Sequence, residues 1–506
     1  MVRYSVGLDV GTTGLKGLLV DESGGVAATA FAGYEVDRPH PGWSEQDPAD
    51  WWEAARVVIR ELAAKGLPIG AIGLSGQMHG SVFLDEAGAC LSPAILWNDQ
   101  RTYAECDEIE RLTDGRIVEW TLNAPRTAFT ASKILWARRH LPDVWARTRT
   151  VLLPKDYVRF RLTGERLTDV CDASGTNLLD VRARAWSRPA LDALGIPESV
   201  LPGLHESPEI AGRVTAAVAA ELGIAPGTPV IAGAADQTAA ALGNGISEPG
   251  AVSITIGTSG VVYAQLDEIK VDPSGAFHTF CHGVPGTWQL MAGVLSAGGS
   301  LGWFRDRFAD AEATVAARRG VDVYDVIFEE VGEVPAGADG LVFLPYLTGE
   351  RSPHNDPHAR GAYFGLTARH DKRHLARATV EGISFALADL VDVLVGLGMG
   401  IGEVRVAGGG ARSRTWLGIL AAILGRPVVA TTTPDASGYG AALLAMSGLT
   451  GRPVAELCRS WVTVGAPVAP DPAAADVYAR NHEIFRRLYP ATRSLMHALS
   501  EGGQTR

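Results

Sequence analysis

Twice in this chain an apolar strand runs into a short glycine–threonine loop and out again into a second apolar strand. The first instance is Tyr4–Val10, Gly11-Thr12-Thr13-Gly14 and Leu15–Asp21; the second is Ala251–Ile256, Gly257-Thr258-Ser259-Gly260 and Val261–Ala264. Two apolar runs joined by a short glycine-bearing turn read as a β-hairpin. A hairpin that recurs at the head of each half is an internal repeat, and it predicts an α/β chain made of two related domains. The breakers Asn244-Gly245 and Glu248-Pro249-Gly250 place the boundary, giving spans 1–246 and 247–506. A length of 506 residues agrees, since one core of ordinary size does not extend that far.

Each loop exposes backbone N–H groups and hydroxyls, from Thr12 and Thr13 in one and Thr258 in the other. That is equipment for cradling phosphate oxygens, although hairpin turns also carry Gly and Thr for geometry alone. Two such loops facing each other across a cleft would grip a β- and γ-phosphate from both sides. Asp9, just ahead of the first loop, is placed to hold a metal ion through water. A Walker-type glycine loop with its lysine is absent from the sequence.

Between the two loops stands Gly233-Ala234-Ala235-Asp236-Gln237-Thr238, after the buried-strand run Val230-Ile231-Ala232 and before the alanine-rich run Ala239–Gly243. The pattern predicts a strand end, then a helix beginning near Asp236. Small neighbours let another molecule approach the carboxylate, and the positive end of the helix favours an acid there. A base and a helix cap both fit this position.

Elsewhere, Asp47 followed by Pro48 predicts an N-cap and first-turn proline opening a helix over Trp51–Lys65. Gly76-Gln77-Met78-His79-Gly80 breaks a buried strand, and its flanking glycines would let the three side chains face a cleft. Helices are expected over 101–112, 132–140 and 415–424, and a last amphipathic one over 473–488. The stretches 152–157 and 168–176 read as polar loops. Val404–Ala407 followed by Gly408-Gly409-Gly410-Ala411 is a strand and glycine loop opening a helix, where backbone is open to a flat ligand or an anion.

A net charge of −12, from 45 Lys plus Arg against 57 Asp plus Glu, with no basic run, argues against a nucleic-acid partner. The five scattered cysteines form no CxxC pair and suit a reducing cytoplasm. Met1-Val2-Arg3-Tyr4 leads straight into a strand pattern with no signal-peptide core, and no apolar run reaches membrane-spanning length.

With these residues in view, the chain resembles the FGGY family of carbohydrate kinases. The resemblance is collinear from about Val6 to about Tyr489. It is carried by Leu8–Gly14, Gly76–Gly80, Ala94-Ile95-Leu96-Trp97-Asn98, Leu153–Tyr157, Ile256–Gly260 and Gly361-Ala362-Tyr363-Phe364-Gly365-Leu366 continuing to Glu381. It implies two ribonuclease-H-like (actin-like ATPase) domains flanking a deep catalytic cleft, ATP and Mg²⁺, and a sugar as the acceptor. In the roles it implies, Asp236 is the catalytic base, Asp9 organises Mg²⁺ through water, and Met78, His79, Asp236 and Gln237 touch the sugar. Thr12, Thr13, Thr258, Gly298, Gly410 and Ala411 touch the nucleotide. Met78-His79 stand where the glycerol kinases of the family carry Arg-Glu, which implies a ketopentose, D-xylulose phosphorylated at its 5-hydroxyl above all; ribulose, L-xylulose, a pentitol or a deoxy-pentulose are the alternatives within the family, and a non-enzymatic actin-like nucleotide switch is the alternative of another class. Around Ala128–Ala137 the N-terminal family signature is only partly kept, with Ala128 and Ala137 replacing differently shaped types. Family habit implies a homodimer.

Overall fold

The computed structural model describes residues 3–502; Met1, Val2 and residues 503–506, which the two expected spans include, lie outside the described residues. The first hairpin forms as read. Strand β1 (Tyr4–Val10) pairs antiparallel with β2 (Gly14–Asp21), from Tyr4 opposite Asp21 to Val10 opposite Leu15. β3 (Val26–Gly33) adds to β2, and β4 (Ile69–Gly76) pairs parallel with the other edge of β1. Beyond β4 come β6 (Pro229–Ile231) and then β5 (Ile210–Arg213), so the order is β5-β6-β4-β1-β2-β3, with β7 (Ala234–Ala235) also parallel to β4.

The second half repeats the plan. β8 (Ala251–Ile256) and β9 (Gly260–Leu266) are the hairpin, β11 (Trp288–Val294) and β10 (His278–Cys281) extend it antiparallel, and β12 (Glu403–Gly408) and β13 (Val428–Ala430) add in parallel. The order is β10-β11-β9-β8-β12-β13. In both sheets the hairpin's first strand has its antiparallel partner on one side and a parallel strand on the other. The internal repeat is therefore a repeat of topology.

Helix α1 (Pro48–Ala63) starts as expected: the Asp47 carboxylate accepts the Ala49 N–H, Pro48 holds the first turn, and Trp51, Trp52, Ala55, Val58, Ile59 and Leu62 go into the core. The two stretches read as polar loops do not remain loops. Residues 154–163 form helix α3, after α2 (Thr130–His140), and 167–173 form a short strand and a helical turn. Lys155, Asp156, Arg159, Asp169 and Asp172 are all fully buried there. Lys155 Nζ lies 2.6 Å from Asp156, 2.6 Å from Asp169 and 3.3 Å from Asp172, and Arg159 lies 2.9 Å from Asp156. The charges go inside together, two cations among three carboxylates, a long-range pairing that local polarity cannot reveal.

Helices α4 (Asp236–Gly243), α5 (Gly298–Phe308), α6 (Val323–Glu333), α7 (Lys372–Gly396) and α8 (Arg414–Leu424) follow in chain order. α9 (Ala436–Thr450) belongs to the second half in sequence, yet packs on the first sheet and along α4. Its seam is made of glycines. A Cβ on Gly7 would overlap the carbonyl of Gly438, one on Gly73 that of Ala441, and one on Gly440 that of Ala239. The last helix, α10 (Ala475–Gly502), runs through Pro490 well past the expected end at 488, held there in part by Tyr489 and His497, which bind Asp356 at 2.6 and 2.7 Å.

Gly440→Ala is expected to lose about 1–3 kcal/mol of stability by overpacking this seam. Gly332→Ala, in α6 with open space around its Cβ, is expected to gain up to about 1 kcal/mol from helix propensity. Thermal unfolding midpoints of the two variants check the contrast.

Candidate active site

Strands β1, β4 and β7 run parallel and end together, where ligands gather in open α/β sheets. Asp9 on β1 and Ala234 on β7 are both in register with Ser75 on β4, so Asp9 and Asp236 flank one strand end. Asp236 is the first residue of α4. The capping position before it is Ala235, which offers no side-chain bond, and Asp236 Oδ1 accepts only the N–H of its neighbour Gln237, at 2.7 Å. The carboxylate is half-buried and faces another acid. Burial, and then the negative charge of Asp9, push the Asp236 carboxyl up to about 7, against the Gln237 N–H groups that pull it down. Asp9 is pushed up to about 6, first by burial, with the Ser75 hydroxyl (3.0 Å) lowering it, Asp435 raising it and Lys16 lowering it. Lys16 is itself held by Asp435 at 2.6 Å. Asp9 thus shares Lys16 with Asp435 and repels Asp236, and the carboxyls of Asp9 and Asp236 both sit poised near neutrality. Such a place favours a bound cation and can accept a proton. Ser75, Lys16 and Asp435 carry no motif that sequence reading could use; strand register and the α9 seam bring them here.

The first glycine–threonine loop is rigidly held. Gln46 Nε2 donates to the Thr12 carbonyl (2.7 Å), Trp97 Nε1 donates to Thr12 Oγ1 (3.1 Å), and Tyr34 donates to the Gly11 carbonyl (2.6 Å). Gln77, expected to face the cleft, does not. It is 1% exposed, accepts from Thr12 Oγ1 at 3.3 Å and donates to Gln46 Oε1 at 2.8 Å, so it braces the loop from behind. Thr13 is exposed at the tip of the loop.

Met78 and His79 come next in the chain and are buried. His79 has φ = +66°, and the Gly80 N–H donates to the Met78 carbonyl at 2.8 Å, so His79 centres a strained γ-turn. Its Nδ1 lies 2.8 Å from the Gly175 carbonyl, which assigns the proton to Nδ1 and leaves Nε2 an acceptor. Burial, then the nearby Lys133, keep the ring neutral. Phe129 (centroids 4.9 Å) and Phe280 (6.4 Å) pack on it, and His278 stacks on Phe280 at 5.7 Å. The Phe129–His278–Phe280 wall escapes sequence reading because its members are about 150 residues apart.

A separate cavity of about 960 Å³ is lined only by residues from Ile256 onward. Thr258, Gly298 and Gly410 line it together, and Ala411 follows Gly410 in the same short helical turn. The Gly298 N–H donates to the Gly257 carbonyl (2.8 Å) and the Gly299 N–H to the Thr258 carbonyl (2.9 Å), tying the start of α5 to the second loop. Tyr324, Phe328, Arg412 and Arg414 also line it. The residues expected at the nucleotide therefore divide. Thr258, Gly298 and Gly410 share this cavity, whereas Thr12 and Thr13 sit with Asp9 in the first half, and Asp236, Met78, His79 and Gln237 do not line it.

Residues 4–243 match the model of the FGGY family of carbohydrate kinases, N-terminal domain, and residues 252–449 match its C-terminal domain. The chain is 39% identical over 497 residues to a xylulose kinase of Escherichia coli, covering 97% of this chain and 99% of that protein. A crystal structure of xylulose kinase from Rhodospirillum rubrum superposes with a TM-score of 0.91 at 34% identity, over 98% of this chain and 100% of that one. A gluconokinase of Bacillus subtilis is 31% identical over 88% of each chain.

Because ionising Asp236 works against both burial and the charge on Asp9, its carboxyl is expected to titrate near pH 7 in the ligand-free protein. Asp9→Asn removes that charge and is expected to move the midpoint to lower pH. Carboxyl ¹³C chemical shifts followed against pH report both; a midpoint near 4 in the unsubstituted protein would contradict the burial argument.

Proposed function

This chain belongs to the FGGY family of carbohydrate kinases, enzymes that use ATP as a substrate, and we propose that its sugar is a ketopentose, D-xylulose, phosphorylated at the 5-hydroxyl. The observation that carries the reading is the half-buried Asp236, raised toward neutrality beside Asp9 at a shared strand end. Likeness to xylulose kinases over nearly the whole chain supports the choice of sugar.

In this reading Asp236 is the general base. A sugar hydroxyl is a weak nucleophile at neutral pH, and the γ-phosphoryl group repels it. As the hydroxyl oxygen bonds to the γ-phosphorus, its proton passes to the Asp236 carboxylate, the bond from γ-phosphorus to the bridging oxygen breaks, and ADP leaves. Asp9 would hold Mg²⁺ through water, a fit supported by the excess of carboxylate over lysine around it; when bound, the ion supplies neutralisation of the phosphate oxygens. Met78, His79 and Gln237 line the sugar, with His79 Nε2 free to accept from a hydroxyl. Thr12 and Thr13 face the phosphates from one side and Thr258 and Gly298 from the other, while Gly410 and Ala411 lie against the nucleoside. The division into 1–246 and 247–506 places sugar and base in the first span and the nucleoside cavity in the second, so closure of the two is part of the cycle and also excludes water. The five unpaired cysteines suit a cytoplasmic enzyme, and family habit makes it a homodimer.

A second reading is an acidic sugar. The gluconokinase likeness favours it, as does Arg126, whose charge reaches His278 in the wall beside His79. ADP release measured over a panel of pentuloses, pentitols and aldonates separates the two, with D-xylulose expected to give the highest kcat/KM.

Asp236→Asn is expected to lower kcat by at least about 10²–10⁴ while calorimetry still detects both sugar and ATP. A variant retaining a tenth of the rate would remove Asp236 as base. Since the base works only when ionised, kcat/KM for the sugar is expected to fall with unit slope as pH drops below about 7. Small-angle scattering with sugar and a non-hydrolysable ATP analogue is expected to register a smaller radius of gyration than the free protein.

A further inference from the structure

We infer that Lys133 is a positioning residue of the sugar site, holding the strained turn that presents His79. The inference rests on the reading of His79 as a sugar contact. Lys133 lies on α2 and is fully buried. Among the described residues no carboxylate stands within ion-pair distance of its Nζ; Asp99, the acid whose charge reaches it, is already bound by Arg101 at 2.6 Å and by the Ser44 N–H at 2.6 Å. Burying a lysine without a counter-ion is costly, and burial, against the charge of Asp99, pulls its ammonium down to about 7. A methionine would fill the same space without that cost.

What the lysine does, and an apolar side chain would not, is donate to two carbonyls. Nζ bonds the His79 carbonyl at 2.8 Å and also the Ala128 carbonyl. Thr130 Oγ1 adds a second donor to the same His79 oxygen at 3.1 Å. These carbonyls belong to the two walls of the sugar site. One is the γ-turn at Met78–Gly80, whose φ of +66° is uncommon for a residue other than glycine. The other is the turn that places the Phe129 ring 4.9 Å from the His79 ring. A single amine therefore locks the imidazole and the aromatic wall to each other, fixing the direction of Nε2 before any sugar arrives. Pre-organisation of this kind acts on sugar affinity and leaves the distant nucleoside cavity untouched.

The test uses the full chain with D-xylulose and ATP, and compares Lys133→Met, Thr130→Val, His79→Ala and the Lys133→Met/His79→Ala double variant. Lys133→Met is expected to raise the sugar KM roughly tenfold with the ATP KM unchanged. The double variant is expected to be no worse than His79→Ala alone, because the lysine acts through the histidine. Ethylammonium added to Lys133→Ala is expected to restore part of the sugar affinity. A sugar KM unmoved by Lys133→Met, a matching rise in the ATP KM, or effects that multiply in the double variant would each overturn the inference. If Lys133→Met fails to fold, Thr130→Val carries the test: a severalfold rise in sugar KM supports it and no change overturns it. His79→Ala without effect on the sugar KM would defeat the reading of His79 and the inference with it, whereas an effect of His79→Ala and none of Lys133→Met defeats the inference alone.

Discussion

The glycine seam between α9 and the first sheet governs everything downstream of it. Gly7, Gly73 and Gly440 let backbone meet backbone at distances no side chain allows, so a helix from the second half of the chain lies flat across β1, β4 and α4. Close packing of this kind has one depth and little tolerance. Because α9 begins at Ala436, the seam also delivers Asp435 to Lys16, next to Asp9, and Ser437 to the carbonyl of Asp236 at 3.2 Å. The acidic centre is thereby assembled from both halves, and its charge balance depends on a helix contact more than on any loop.

Depth of burial separates the acids behind the shared strand end from the two that stand at it. Asp156, Asp169 and Asp172 are fully buried, but Lys155 and Arg159 are buried with them, and the cluster stands directly behind the strand that leads to Asp236: Arg159 bonds the Ala232 carbonyl at 2.6 Å. Asp9 and Asp236 have less company. Lys16, the cation that reaches Asp9, is shared with Asp435, and burial keeps both carboxyls high, with the charge of Asp435 adding to it at Asp9 and that of Asp9 at Asp236. Within the cluster Lys155 and Arg159 pull Asp156 down against burial, while burial raises Asp169 and Asp172; what sets Asp9 and Asp236 apart is that they are only half-buried at a strand end, where a cation or a proton can reach them. Lys133 is the reverse case, a buried cation with no carboxylate within ion-pair distance among the described residues, and it is bonded to the carbonyl of His79, the proposed sugar contact.

The two halves carry different duties on one repeated plan. In the first, the loop Gly11–Gly14 is braced by Gln46, Gln77, Trp97 and Tyr34, and the strained His79 turn sits beside it. In the second, the loop Gly257–Gly260 is bonded to the start of α5 and opens onto the large cavity. Related hairpins thus diverge through what packs behind them: a wall of polar side chains in one case, a helix start in the other.

Much of this was legible in the residues alone. The repeated hairpin, the N-cap at Asp47, the strand end and helix start around Asp236 and the glycine turn at Gly410 all depend on local patterns, and local patterns are what φ/ψ preferences and hydrophobic periodicity encode. Membership of the kinase family was legible too, because its motifs are short, collinear and spread over the whole chain. Tertiary structure alone decided the rest: that Gln77 braces a loop, that 154–173 is buried charge, that Phe129, His278 and Phe280 form one wall, that Asp435 and Lys16 set the balance around Asp9, and that Lys133 reaches His79. Each of these is a pairing across tens to hundreds of residues, and a side chain's burial and partners are properties of what the fold brings beside it, which no window of neighbouring sequence contains.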